Sequence, residues 1–165
     1  MNADKLINIA MNCHGNKDNT VLRLVDLITT MSQAGNYRVD KENAAILYII
    51  ASNEKLYSEY KEIMDLGNNE INIEKVDNNY YSSSEKALLR LGVNLFNGYT
   101  GRTAEENYDY CINNIMNKLD ERNRIIAMNA IKIRYADWEG NKKRTVNRSF
   151  FAYQFFLRKF YQRNH

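Results

Sequence analysis

Apolar residues recur at helical spacing along most of the chain. The clearest case is Ser82–Tyr99, SSSEKALLRLGVNLFNGY, where Leu88, Leu91, Gly92, Leu95 and Phe96 share one face. Lys86, Arg90, Asn94 and Asn97 follow another face. Ser82 and Glu85 have the spacing of a capping box, in which the hydroxyl takes the amide three residues on and the carboxylate reaches back. A cap of this kind stabilises a helix by roughly 1 kcal/mol. Asn97-Gly98 then tolerates the left-handed conformation that ends a helix. Gly92 costs about 1 kcal/mol relative to Ala inside a helix, which points to another backbone crossing closely there. The segment therefore predicts a central core helix.

The same pattern places further helices. Leu6, Ile7, Ile9 and Ala10 suggest a short one over residues 3–13, interrupted at Gly15-Asn16. Asn19 or Thr20 can cap a second, Val21–Gln33, with Val21, Leu24, Val25, Leu27, Ile28 and Met31 on a broad apolar arc. Arg23, Asp26 and Thr30 lie opposite, and Ala34-Gly35-Asn36 breaks the helix. Asp40 opens Lys41–Ala51, whose AAILYIIA has no polar side and predicts a helix buried all round. A buried strand is the rival there, since Ile and Tyr favour strands. Asn53–Leu66 continues as a polar helix with Leu56, Tyr57, Tyr60, Ile63 and Met64 facing inward, ended by Gly67. Brief alternation of Ile71, Ile73 and Val76 predicts a loop or a short edge strand near 71–76. Thr103 and Glu106 form a second capping box, opening a helix to about Lys118. Asp120 caps Glu121–Arg134, where Ile125, Ile126, Ala127, Met128, Ala130, Ile131 and Ile133 predict another heavily buried helix. Residues 136–147 read as a loop on Gly140-Asn141, and Ser149–Gln162 as a terminal helix. Seven or eight helices with short connections make an all-α, single-domain bundle, with residues 1–135 as core and 136–165 as a basic loop and aromatic helix docked on it.

Composition narrows the class. A chain of 165 residues, 44% apolar and 26% charged, suits one soluble globular domain. No run of 18 apolar residues occurs, so no membrane partner is expected, and the first residues make a poor signal peptide. Two scattered cysteines, Cys13 and Cys111, suit a reducing compartment, a bacterial cytoplasm. Proline is absent and 24 residues are Asn, a bias typical of an AT-rich genome. A single Asn therefore carries little weight as a signal.

Candidate chemistry is sparse. Cys13-His14 is the one adjacent pair of nucleophile and base, and neighbours in a helix do not converge. No Cys-x-x-Cys, His-Glu-x-x-His or calcium-loop spacing occurs, so neither metal nor cofactor is expected. Asn97-Gly-Tyr-Thr-Gly101 lacks the Gly-Lys-Ser/Thr ending of a phosphate loop. The acid pairs Glu105/Glu106 and Asp120/Glu121 stand at helix starts, where the dipole favours carboxylates. Tyr80-Tyr81 reads as a hydrophobic staple, and Arg102 as a solvated base just before a helix start. No catalytic constellation emerges, and the chain reads as a non-enzyme.

Charge changes this picture. Residues 140–165 hold seven bases, Lys142, Lys143, Arg144, Arg148, Arg158, Lys159 and Arg163, and no acid, leaving 16 bases against 20 acids elsewhere. Within the terminal helix Phe150, Tyr153, Phe156, Leu157, Phe160 and Tyr161 form one stripe. Burying such side chains is worth roughly 1.5–3 kcal/mol each, so that stripe should dock on the body. Phe151 and Phe155 point elsewhere, among the bases. Such a pair suits a protein interface or a homodimer, stacking on single-stranded nucleic acid, or a helix sandwiched within its own fold. Phosphate contacts, if made, would come from Lys142, Lys143, Arg144, Arg148, Arg158 and Lys159.

Three segments resemble an uncharacterised family of small proteins associated with prophages and mobile elements of low-GC Gram-positive bacteria. They are Ile49-Ile50-Ala51-Ser52-Asn53-Glu54-Lys55-Leu56-Tyr57, then Ser83–Leu91 with Asn97-Gly98-Tyr99, and Leu119-Asp120-Glu121 leading to Ala130–Arg134. The likeness spans residues 40–135, with 136–165 beyond it. It transfers no functional residue. It implies a phage or mobile-element context, in which small non-catalytic proteins bind and block host proteins, including CRISPR-type defence effectors. The expected function is therefore binding of a host protein or complex, with a nucleic-acid-binding regulator as the alternative.

Overall fold

A computed structural model describes residues 3–14, 19–35 and 39–135. The predicted loop and terminal helix of 136–165 lie outside the described residues. The architecture is helical, with α1 (Ala3–His14), α2 (Thr20–Gln33), α3 (Lys41–Ser52), α4 (Glu54–Ser58) and α5 (Tyr60–Ile63) in the first half. A two-stranded hairpin, β1 (Met64–Asp65) and β2 (Glu70–Ile71), leads to a helical turn, α6 (Ile73–Val76). Then come α7 (Ser83–Asn97), α8 (Ala104–Tyr110), α9 (Ile112–Lys118) and α10 (Glu121–Tyr135).

The centre of the bundle is α3 rather than α7. Every residue from Asn43 to Ser52 is buried, and α2, α7 and α10 all pack against this helix. A helix with no polar side has no face to give to water, so its neighbours surround it. Asp40 caps it by accepting the Asn43 amide at 2.8 Å, which settles helix over strand. Its Tyr48 hydroxyl accepts a hydrogen bond from Asn129 Nδ2 of α10 at 3.1 Å.

Helix α7 lies alongside and follows its sequence closely. Ser82 Oγ accepts the Glu85 amide at 3.2 Å, and Glu85 accepts the Ser82 amide at 2.8 Å. Gly98 ends the helix in the left-handed conformation, with φ of 75°. At Gly92 the close neighbours are side chains rather than a crossing backbone. A Cβ there would stand 3.2 and 3.3 Å from atoms of Ile46 and 3.4 Å from Ile49 Cδ1, both on α3.

Five expectations change. The helix predicted over Asn53–Leu66 is broken at Glu59, where φ is −103°, and Met64–Asp65 leaves it as a strand. The pairing is antiparallel, Met64 with Ile71 and Asp65 with Glu70. Asp65 holds the connecting turn by accepting the amides of Gly67 and Asn68 at 2.9 and 3.1 Å. The edge strand foreseen near 71–76 is thus centred on Glu70–Ile71, and Ile73–Val76 is helical.

The helix predicted from Thr103 to Lys118 is two helices, split at Cys111 by an extended backbone with ψ of 131°. Tyr110 turns into the core at the break and meets the Tyr99 ring edge-on at 5.0 Å. Asn114 Nδ2 donates to the carbonyl of Tyr108 at 3.1 Å, so a side chain satisfies a group near the end of α8. The second capping box is half formed. Thr103 Oγ1 accepts the Glu106 amide, but the Glu106 carboxylate takes the amide of Arg102 at 2.6 Å.

Finally, α10 is not buried all round. Ile126, Ala127, Ala130 and Ile133 enter the core, whereas Ile125 and Met128 are 54% and 46% exposed and Tyr135 is 73% exposed.

Candidate functional site

Helix starts build one site. The N-caps of α4, α7 and α10, namely Asn53, Ser82 and Asp120, border one cleft of about 370 Å³, also lined by Glu54, Lys55, Glu85, Arg122 and Asn123. Each cap is taken by its own side chain. Asn53 Oδ1 accepts the amides of Lys55 and Leu56, and Asp120 Oδ1 accepts the Asn123 amide at 2.8 Å. Ser84 joins two of these starts. Its hydroxyl donates to Asp120 Oδ2 at 3.1 Å and accepts from Asn123 Nδ2 at 2.8 Å and from the Asp120 amide at 3.2 Å. Lys55 reaches Glu85 at 3.5 Å, donates to the carbonyl of Tyr80, and sits 4.1 Å from the centre of the Tyr80 ring. Burial works against ionisation of Glu85, but the Ser82 amide and hydroxyl and the Lys55 ammonium prevail, and its pKa is lowered. Three carboxylates against Lys55 and Arg122, with helix amides already capped, make this cleft a fastening between helices. The three segments that carry the family resemblance meet at this cleft.

A second cluster surrounds Arg90. The sequence places Arg90 on the polar side of α7, yet it is 9% exposed. Its Nη2 lies 2.6 Å from Asp77 Oδ1 and 3.0 Å from Asp109 Oδ2, and its Nε donates to Asp77 at 3.0 Å. Lys118 donates to Asp109 at 2.8 Å. That hydrogen bond, with Arg90 beside it, holds the Asp109 carboxyl below the usual carboxylate range. The cluster ties α7 to α8, to α9 and to the turn after α6. Burial pushes the nearby Tyr110 hydroxyl upward, with the Asp77 charge adding to it. Sequence spacing alone had no means of pairing Arg90, because its acids lie 13 positions before it and 19 after it.

The sequence-predicted binding residues Lys142, Lys143, Arg144, Arg148, Phe151, Phe155, Arg158, Lys159 and Arg163 lie outside the described residues. The structure shows where the chain leaves for them. The last turn of α10 is basic, with Lys132 and Arg134. Arg134 pairs with Glu42 at 2.6 Å and donates to the carbonyl of Leu95 at 2.8 Å. Tyr135 stands exposed at the exit. Cys13 and His14 are consecutive residues at the C-terminal end of α1. Cys111 is an exposed free thiol. Tyr81 is buried and Tyr80 is 56% exposed, so the two tyrosines before α7 divide between core and surface.

Among the described residues no three or more His, Cys, Asp and Glu side chains gather as metal ligands would. No described helix is long and apolar enough to cross a membrane. The chain matches no curated protein and no solved structure. A family model does match, over residues 26–147, which extends past α10 to include Lys142, Lys143 and Arg144. The chain belongs to DUF6075, a family of unknown function.

Proposed function

We propose that this is a non-catalytic binding protein of a phage or mobile element, acting on a host protein or protein complex, with a defence effector of the CRISPR type as the sharpest target. Its contacts are Lys142, Lys143, Arg144, Arg148, Arg158, Lys159 and Arg163, with Phe151 and Phe155 as aromatic anchors. One observation carries the reading: the described body satisfies its partly buried bases internally while the end of the chain concentrates bases without acids. Arg90, Lys118 and Arg134 are all spent on carboxylates of the body. From residue 140 onward there are seven bases and no acid, and before it sixteen bases and twenty acids. Such a division steers a charged partner to one end of the molecule.

The test is an interference assay in a low-GC Gram-positive host carrying an active CRISPR effector. Expression of the full chain is expected to restore transformation by a targeted plasmid, and Lys143→Glu/Arg144→Glu to cut that restoration at least tenfold. Undiminished interference in the presence of well-expressed protein would contradict the proposal. The same excess of bases favours a second reading, a regulator that binds nucleic acid. There, affinity would fall steeply with salt, because each neutralised phosphate releases counterions.

A further inference from the structure

Helix α10 has a second apolar side, turned away from the core. Ile126, Ala130 and Ile133 enter the body, whereas Ile125, Met128 and Tyr135 are exposed. Together with the exposed Glu121 and Lys132 these three make a regular series. Glu121, Ile125, Met128, Lys132 and Tyr135 recur at intervals of four, three, four and three residues. At about 100° per residue the five positions fall within an arc of about 80°. A repeat of this kind keeps one seam of a helix turned toward a partner helix, as in a coiled coil. Helices α3, α7 and α1 pack on α10 and leave the seam open.

The charges on the seam decide what fits it. Among the described residues neither Glu121 nor Lys132 makes an ion pair. Arg124, at the edge of the seam, is already engaged, donating to the carbonyl of Leu119 at 3.1 Å. The spacing from Glu121 to Ile125 equals that from Met128 to Lys132. A second copy of α10 laid antiparallel about a twofold axis therefore meets two needs in one register. Ile125 of each chain stands against Met128 of the other, and Glu121 of each against Lys132 of the other. A parallel pair in register would instead set Glu121 against Glu121 and Lys132 against Lys132, like charges on like. We propose that two copies of this chain associate through the outer side of α10, antiparallel, with Ile125 and Met128 at the centre and a Glu121–Lys132 ion pair at each end. A twofold interface of this kind is self-complementary. One helix from each chain makes a small interface, so the dimer is expected to form in the micromolar range or above. The proposal goes beyond the target reading and does not rest on it.

Sedimentation equilibrium of the full chain, from micromolar to millimolar concentration, tests the interface without any target. The wild type is expected to pass from monomer to dimer over that range. Met128→Lys should weaken the dimer roughly tenfold or more, as should Glu121→Lys and Lys132→Glu taken singly, since each sets like charges opposite one another. An equimolar mixture of Glu121→Lys chains and Lys132→Glu chains should dimerise again, because opposite charges then meet at both ends. Only direct antiparallel contact in this register predicts that rescue. A wild type that stays monomeric throughout would overturn the proposal, whether the chain's own remaining residues or water covers the seam. A dimer indifferent to Met128→Lys would overturn it too, as would folded single-charge variants that fail to associate when mixed. Glu121→Lys puts a cation in the first turn of α10. If that variant unfolds, Met128→Lys, in the middle of the helix and half exposed, carries the decision. None of these readouts involves the target, so failure of the dimer and failure of the interference assay are separable.

Discussion

Arg90 shows how one residue can be misplaced by its own helix. Spacing puts it on the polar side of α7, where a solvated base costs nothing and is worth nothing. Instead it is enclosed by Asp77 and Asp109, with Lys118 completing the set. Arg90 itself is buried while its partners keep access to water, so removing it leaves acids that solvent screens in part. Arg90→Leu is therefore expected to lower stability by about 1–2 kcal/mol in a denaturant titration. A loss below about 0.5 kcal/mol would show that the pairs are solvent-screened and worth no more than surface contacts. Gly92 was readable as a close-approach position, but what approaches, Ile46 and Ile49, depends on how α3 lies against α7. Neither partner was visible in a linear pattern, since both are tertiary choices.

Elements with strong local signals were legible. The capping box of α7, its Gly98 terminus, the Asp40 cap and the fully apolar α3 all stand where the residues place them. What failed were elements whose ends are decided by contacts. Cys111 breaks a helix that periodicity would continue, because Tyr110 packs against Tyr99. Met64–Asp65 becomes a strand through pairing with Glu70–Ile71, six residues on. Ile125 and Met128 stay exposed on α10 because α3 and α7 cover other sides of that helix. The start of α10 gives a test at this scale. Asp120 caps it, accepts from Ser84 of α7 and takes the Asn123 amide group at 3.0 Å. Asp120→Ala should cost about 1–2 kcal/mol, and Ser84→Ala less, with thermal unfolding as the readout. Equal and negligible losses would mean that the three helix starts are not fastened at this cleft.

At the level of the whole molecule, charge sets how stability varies with pH. Four carboxyls titrate below their ordinary range: Asp65 under the amide of Asn68, Glu85 in its capping box, Glu106 under the amide of Arg102, and Asp109 under Lys118. A depressed folded pKa means stability that is present above the unfolded value, near 4, and lost as pH falls through the folded one. Burial, with a hydrogen bond to Asp26, pushes Tyr57 up to about 12. A raised folded pKa means the reverse, stability present below about 10 and lost as pH rises through 12. Denaturant midpoints should accordingly be level from about pH 5 to 9 and decline on both sides. A decline already complete by pH 5 would contradict these assignments.

The described residues carry more acids than bases, whereas residues 140–165 hold seven bases and no acid. The proposed binding is tested most directly by titrating fluorescently labelled full chain with a purified CRISPR effector complex and, separately, with a single-stranded oligonucleotide, each at low and moderate salt. Saturable binding to the effector that Lys143→Glu/Arg144→Glu weakens at least tenfold, with no oligonucleotide binding at moderate salt, is the predicted result. Binding to the oligonucleotide that collapses with salt, and none to the effector, would contradict the account and make the protein a nucleic-acid-binding regulator.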